Sequence, residues 1–355
     1  MIQHRLAGIS TDNHEFETRL PFPVAPHTFL WKPAPLSMKT PTRRRFLHTA
    51  ALAGAGATLG SCSRNEGPEK PEPFKGIVDI HQHSGYLDRL DDQLIVHQEI
   101  MGITQTVMLP AATAVSRPST HDGKSNGLAA RTLGNEHCLR LVEAHPEHYR
   151  FFANEVPDLP ATRQELEKYL KKGAIGIGEQ KFAVDCDSKH IELIASIAGE
   201  FDVPVLLHFQ HATYNLHIER FHRILEMFPT VNFIGHAQTW WGNIDKNHEQ
   251  PVMYPKNPVT AGGLTDRYLS DYPNMFGDLS AGSGQNSLTR DEDHARDFLR
   301  RHQDKLLFGS DCPDRFGQGS NCIGAGTLDI LQRLVDDEPI LEKILGRNAR
   351  RIMRI

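Results

Sequence analysis

From residue 74 onward, short apolar runs alternate with amphipathic stretches, and this alternation constrains the fold more than any other property of the chain. The runs fall at 77–80, 106–109, 151–155, 174–178, 203–207, 231–235, 275–279 and 306–309, each of strand length. Helical periodicity fills the gaps, for instance over 162–170 with Gly173 behind it, over 191–198 and over 218–228. Strands that alternate with helices predict a parallel sheet built from right-handed crossovers. Eight such units in roughly 280 residues suit an α/β fold of the (β/α)8 TIM-barrel type, which needs about 250. A doubly wound open sheet would want a Gly-rich phosphate loop after its first strand. That position holds His81-Gln82-His83-Ser84 instead. The glycines of Ala174-Ile175-Gly176-Ile177-Gly178 lie inside a run rather than in a turn that opens a helix, so they are no dinucleotide fingerprint.

His81 and His83 end the first run, and with one residue between them their side chains share a face. Two imidazoles side by side on rigid backbone form half of a divalent-metal site. In a chain with 20 histidines the pair alone means little. Its company gives it weight: Glu179 ends the fourth run, His208 the fifth, His236 the sixth, and Asp311 follows the eighth. In a (β/α)8 barrel the C-terminal strand ends form the active-site mouth, so residues scattered in sequence would converge. Taken singly, each has a structural role open to it: His208 and His236 as bonded core histidines, Asp311 as a helix cap, Glu179 as an ion-pair partner of Lys181. Tyr86, Gln238, Trp240 and Trp241 follow strand ends and are candidates to line a substrate pocket, the tryptophans against an aromatic or sugar ring. Packing beneath a loop would explain the aromatics equally well. Asp278 and the Gly-rich 280–284 are candidates for a mobile rim.

The set Asp79-Ile80-His81-Gln82-His83, Gly178-Glu179, Leu207-His208, Ile234-Gly235-His236-Ala237 and Phe308-Gly309-Ser310-Asp311 resembles the amidohydrolase superfamily. The resemblance is to its amidohydrolase-related branch, which also holds metal-dependent decarboxylases. The ending Ile344-Leu345-Gly346-Arg347-Asn348-Ala349-Arg350-Arg351-Ile352 is similar to that branch's closing helix. The resemblance implies that His81, His83, His208 and Asp311 bind a divalent metal, most often zinc. Glu179 departs from the one-metal members and would bridge a second metal, as would Lys181 if carbamylated, so one or two ions per chain are implied. Asp311 would then take a proton from activated water, and His236 would orient or stabilise the developing oxyanion. The implied function is hydrolysis of a small amide, ester or lactone. A non-oxidative decarboxylase on the same barrel is the alternative enzyme, and a lipid-tethered binding protein on an inactive barrel is the alternative of another class.

Upstream of the barrel, Thr42-Arg43-Arg44-Arg45-Phe46-Leu47 precedes an Ala/Gly-rich apolar stretch and a small-residue zone. That layout is a signal peptide over 38–62 that resembles the twin-arginine type, read by a translocase that exports folded proteins. Leu59-Gly60-Ser61-Cys62 resembles a lipobox, with Cys62 the lipidated residue. Residues 63–73 form a polar, Pro-rich linker, and 1–37 an extension ahead of a start at Met38. The expectation is an exported protein, periplasmic or on the outer face of a bacterial membrane. Net charge is −5 with no basic stripe in the body of the chain, which argues against a nucleic-acid partner and leaves a small-molecule substrate. Cys138, Cys186, Cys312 and Cys322 show no C-x-x-C spacing, and a domain of this size needs no disulfide staples. Cys312 and Cys322 could pair under oxidising conditions. Oligomeric state is not legible in the sequence.

Overall fold

A computed structural model describes residues 72–111 and 132–355 of the chain. The extension, the signal-like segment, Cys62 and most of the linker lie outside the described residues. Residues Glu69–Ile355 form one compact unit. Among the described residues, no helix is long and apolar enough to cross a membrane.

All eight expected strands form: β1 Ile77–Gln82, β2 Ile103–Met108, β3 Tyr149–Phe151, β4 Ile177–Gln180, β5 Val205–His208, β6 Phe233–His236, β7 Met275–Asp278 and β8 Leu306–Leu307. Pairing is parallel throughout, in the orders β1-β2-β3 and β4-β5-β6-β7-β8. The two sheets join where Ala153 N–H donates to Gly176 O and Gly178 N–H donates to Ala153 O, both at 2.9 Å. The other seam closes through Ile80 N–H to Phe308 O at 3.1 Å and Asp311 N–H to His81 O at 2.8 Å. The result is a closed (β/α)8 barrel.

Strand alternation sorts the apolar residues into two layers. Val78, Ile80, Val107, Leu206, Ile234, Phe276 and Leu307 pack inside the barrel, where Ala349, Ile352 and Met353 of the last helix, Asn348–Met353, close the floor. Val205, Leu207, Phe233, Met275 and Leu306 belong to the outer layer beneath the surrounding helices. Trp240 and Trp241 join that outer layer at 0% and 2% exposure. Trp240 lies over Gly235, where a Cβ would come within 2.4 Å of the indole. The expectation that these tryptophans line a substrate pocket is therefore wrong: burial of two large rings against the strands outweighs exposure at the mouth.

One fully buried carboxylate holds the β1–β8 seam. Asp79 accepts hydrogen bonds from Ser310 N at 2.9 Å, Ser310 Oγ at 2.5 Å, Gln98 Nε2 at 2.9 Å and His81 N at 3.1 Å. Burial raises its pKa despite these donors. Asp79→Ala leaves several buried donors without an acceptor and should cost about 3 kcal/mol, the upper end for such losses. Urea unfolding of variant and parent measures this.

Candidate metal centre at the barrel mouth

Simple alternation from Asp79 would turn His81 and His83 outward with it, toward the helix Asp91–Ile100 that carries Gln98. The register prevents this. Asp79 pairs with Thr106 and Gln82 with Met108, so three steps on β1 oppose two on β2. This is a β-bulge, and it re-aims the side chains beyond it. On β4, Ile177 pairs with Val205 and Gln180 with Leu207, so the same extra step turns Glu179 inward. Gly178 permits it: φ is +143°, and a Cβ there would meet Leu206 O at 2.7 Å. No bulge is needed for His208, His236 and Asp278, which continue the inward parity of Leu206, Ile234 and Phe276. Asp311, at φ +44°, follows β8.

Three histidines are anchored through Nδ1 and present Nε2 to a common space. His83 Nδ1 donates to Leu109 O at 2.7 Å, which fixes its tautomer. His81 Nδ1 lies 2.7 Å and His236 Nδ1 3.1 Å from the same Asp278 Oδ2. The Nε2 atoms of His81 and His83 are 3.2 Å apart. Asp311 Oδ1 lies 3.8 and 3.6 Å from them, and its Oδ2 lies 3.7 Å from His236 Nε2. Glu179 faces both ways. Its Oε2 is 3.9 and 3.7 Å from His81 and His83, while Oε1 is 3.7 Å from His236 Nε2 and 2.5 Å from His208 Nδ1.

The donor set suits a divalent cation, because ligands about 2.1 Å from one tetrahedral centre stand about 3.4 Å apart. Asp311 Oδ1 is buried and has no hydrogen-bond partner, as an acceptor waiting for a cation would be. His81, His83 and Glu179 form one candidate group of ligands, Glu179, His208 and His236 a second, and His81, His236 and Asp311 a third. Glu179 takes part in two of them. Lys181 takes part in none among the described residues; its ammonium lies 5.7 Å from the Tyr214 ring.

Charge is arranged to match. Burial opposes a proton on His81, but Asp311, Asp278 and Glu179 outweigh it and push the pKa up to about 10. Burial, reinforced by His81, takes His83 down to about 4. Burial and then Lys181 take His208 to about 4 as well. Burial works against the charge on Glu179, yet His208 and Lys181 hold its carboxyl well below the ordinary value. Asp278 is likewise held down, by His236 and His81 against burial.

Asp278 is no part of a mobile rim. Besides the two imidazoles, it accepts from Ser280 N at 2.9 Å and Ser280 Oγ at 2.8 Å, and residues from Ala281 onward are helix Ala281–Thr289. The signal for its role was available: it ends a strand as the ligand candidates do. Tyr86 sets its ring edge-on to His83 at 5.1 Å and hydrogen-bonds Asp311. The Asp311 charge and burial raise its pKa, so the phenol stays protonated. Gln238 turns away to Tyr254 at 3.2 Å. Beside His208 opens a cavity of about 490 Å³, lined by Gln210, His211, Asn215, Ile218, Thr239 and Gln250 among others. Gln210 Oε1 lies 3.1 Å from His208 Nε2, joining cavity to site.

A closed parallel barrel with histidines and carboxylates meeting at its C-terminal mouth defines the metal-centred barrel class. Within it, residues 78–355 match the family model described as Amidohydrolase (Amidohydro_2), and the chain belongs to that family. No curated protein matches the sequence. Among solved structures, a 2,6-dihydroxybenzoate decarboxylase from Rhizobium superposes with TM-score 0.53 at 16% identity, over 79% of this chain and 98% of that one. A dihydroxybenzoic acid decarboxylase from Polaromonas, holding manganese and 2-nitroresorcinol, gives 0.51 at 15% over 79% and 97%. A TIM-barrel protein from Bordetella bronchiseptica gives 0.51 at 16% over 78% and 98%. At such identities the likeness is one of fold.

The charge arrangement has a measurable consequence. With a folded pKa near 10, His81 carries a proton at pH 7, and a cation must displace it from Nε2. Loading the metal-free protein at pH 7 should release about one proton per cation bound beside His81. Calorimetry in two buffers of different ionisation heat counts it.

Proposed function

We propose that the protein hydrolyses a small, uncharged amide, ester or lactone at a divalent cation held in the barrel mouth. The observation that carries this reading is the meeting of His81 and His83 Nε2 with the carboxylates of Asp311 and Glu179 at 3.6–3.9 Å. His81, His83 and Asp311 would hold the cation, zinc by ligand type; Glu179 reaches from them to His208 and His236, which would hold a second, so the expected fourfold set with His208 is not the grouping that the geometry favours. The cation supplies Lewis acidity, which polarises a carbonyl and lowers the pKa of water.

The chain's own residues do the rest. Asp311, with one oxygen free of hydrogen bonds, accepts the proton of the attacking water and returns it to the leaving group. The protonated Tyr86 hydroxyl beside Asp311 can donate to developing negative charge, and His236, 3.7 Å from Asp311 on the other side, orients the reacting group. Asp278 keeps His81 and His236 in place through the reaction. Among the described residues the adjoining cavity has no lysine or arginine in its lining, which favours a neutral substrate over a carboxylate. The signal-like 38–62 and Cys62 support an exported, lipid-anchored enzyme acting outside the cytoplasm.

Elemental analysis followed by pH-stat assay against panels of lactones, esters and amides tests this reading. Acid release that stops with chelation and returns with zinc or manganese supports it. Carbon dioxide release from aromatic acids, without hydrolysis, would replace it with decarboxylation. Asp311→Asn should lower kcat by at least about 10²-fold, the lower end for a lost general base. Far-ultraviolet circular dichroism should remain that of the parent.

A further inference from the structure

A second group of soft donors lies behind the mouth, one residue beyond Asp311. Cys312 and His97 are 0% exposed, Cys322 1% and Met101 8%. They come from three elements: helix Asp91–Ile100 and its C-terminal residue Met101, the segment after β8, and the start of helix Ile323–Leu334. From Cys322 Sγ the distances are 3.9 Å to Cys312 Sγ, 3.4 Å to His97 Nε2 and 3.9 Å to Met101 Sδ. Ligands in a tetrahedral site with bonds of about 2.3 Å to sulfur and 2.0–2.1 Å to nitrogen stand about 3.8 Å apart for two sulfurs and about 3.5 Å for sulfur and nitrogen. His97, Cys312 and Cys322 offer ligand atoms that all lie within 4.8 Å of one another.

We propose that Cys312, Cys322 and His97, with Met101 as the fourth neighbour, form a buried site for a thiophilic divalent cation of the zinc class. Binding expels two thiol protons to solvent, and the two thiolates cancel the 2+ charge. The filled site is neutral, which removes the penalty that an uncompensated buried charge would carry. Cys322 caps a 12-residue helix, where its Sγ accepts the Ala325 N–H at 3.4 Å. His97 Nδ1 is buried with no hydrogen-bond partner, so sulfur contacts account for the ring's place in the core. Cys138 and Cys186 differ: they sit singly, against Ser84 Oγ and His217 O, as small buried side chains do.

All four positions are supplied by protein, the closed arrangement of a structural site rather than a catalytic one. It would clamp the helix Asp91–Ile100 to the segment carrying Asp311, where Arg89 already holds the Cys312 carbonyl at 2.8 Å. The two thiols are free at 3.9 Å, a non-bonded separation, against about 2.05 Å in a disulfide.

Among the described residues the mouth offers nitrogen and oxygen but no sulfur, so sulfur-to-metal charge transfer tells this site from the mouth. Titrating the reduced, metal-free full chain with Cd²⁺ or Co²⁺ should produce that near-ultraviolet band, saturating at one equivalent. Cys322→Ser and His97→Gln should weaken or abolish it and lower zinc content by one equivalent, while Cys62→Ser leaves it intact. Absence of the band in the unsubstituted protein overturns the proposal, and that measurement stands even if the variants fail to fold. An as-isolated mass two hydrogens light, with the band appearing only after reduction and no zinc bound, would show a Cys312–Cys322 disulfide and overturn it as well.

Discussion

The hydrogen bonds of Asp79 to Ser310 join the first strand to the segment after the last, and the mouth depends on that seam. His81 and His83 lie just downstream of Asp79, and Asp311 just downstream of Ser310. The same contact that closes the barrel thus sets the distance between two imidazoles and the carboxylate that faces them. His81 strengthens the link by accepting the Asp311 N–H on its own carbonyl. A barrel with an open seam would keep every ligand type and lose their convergence.

The mouth concentrates charge where little water reaches, a costly arrangement that the fold offsets with partners. Asp278 spends one oxygen on two imidazoles and the other on a backbone N–H. Glu179 gives its two oxygens to opposite pairs of histidines. Without a cation, the proton on His81 balances the carboxylates around it. The metal-free site is therefore held together by the same electrostatics that a cation would use.

Much of this was legible in the chain. Run lengths and alternation located all eight strands to within a few residues, because strand period and helix period leave different imprints on apolar residues. Strand-end position picked out His81, His83, Glu179, His208, His236 and Asp311, which the fold brings to one place. Trp240 and Trp241 were misjudged since their sequence position after a strand resembles that of pocket residues. Only packing against Gly235 and Phe209 shows them to be core. Asp278 was undervalued for a related reason, as its importance lies in what it holds rather than where it ends. Met101 and His97 carry no motif, and their meeting with Cys312 and Cys322 needs three separate elements in contact.

By itself, the sequence determined the barrel class, the strand ends and the chemical types gathered at them, since these arise from local periodicity and residue identity. Tertiary structure decided which way those residues face. Alternation alone would have sent His81 and His83 outward with Asp79, and Glu179 outward with Ile177. A bulge on β1 and another on β4 reversed both. A bulge is a mismatch in length between neighbouring strands, and such a mismatch exists only once the strands have paired.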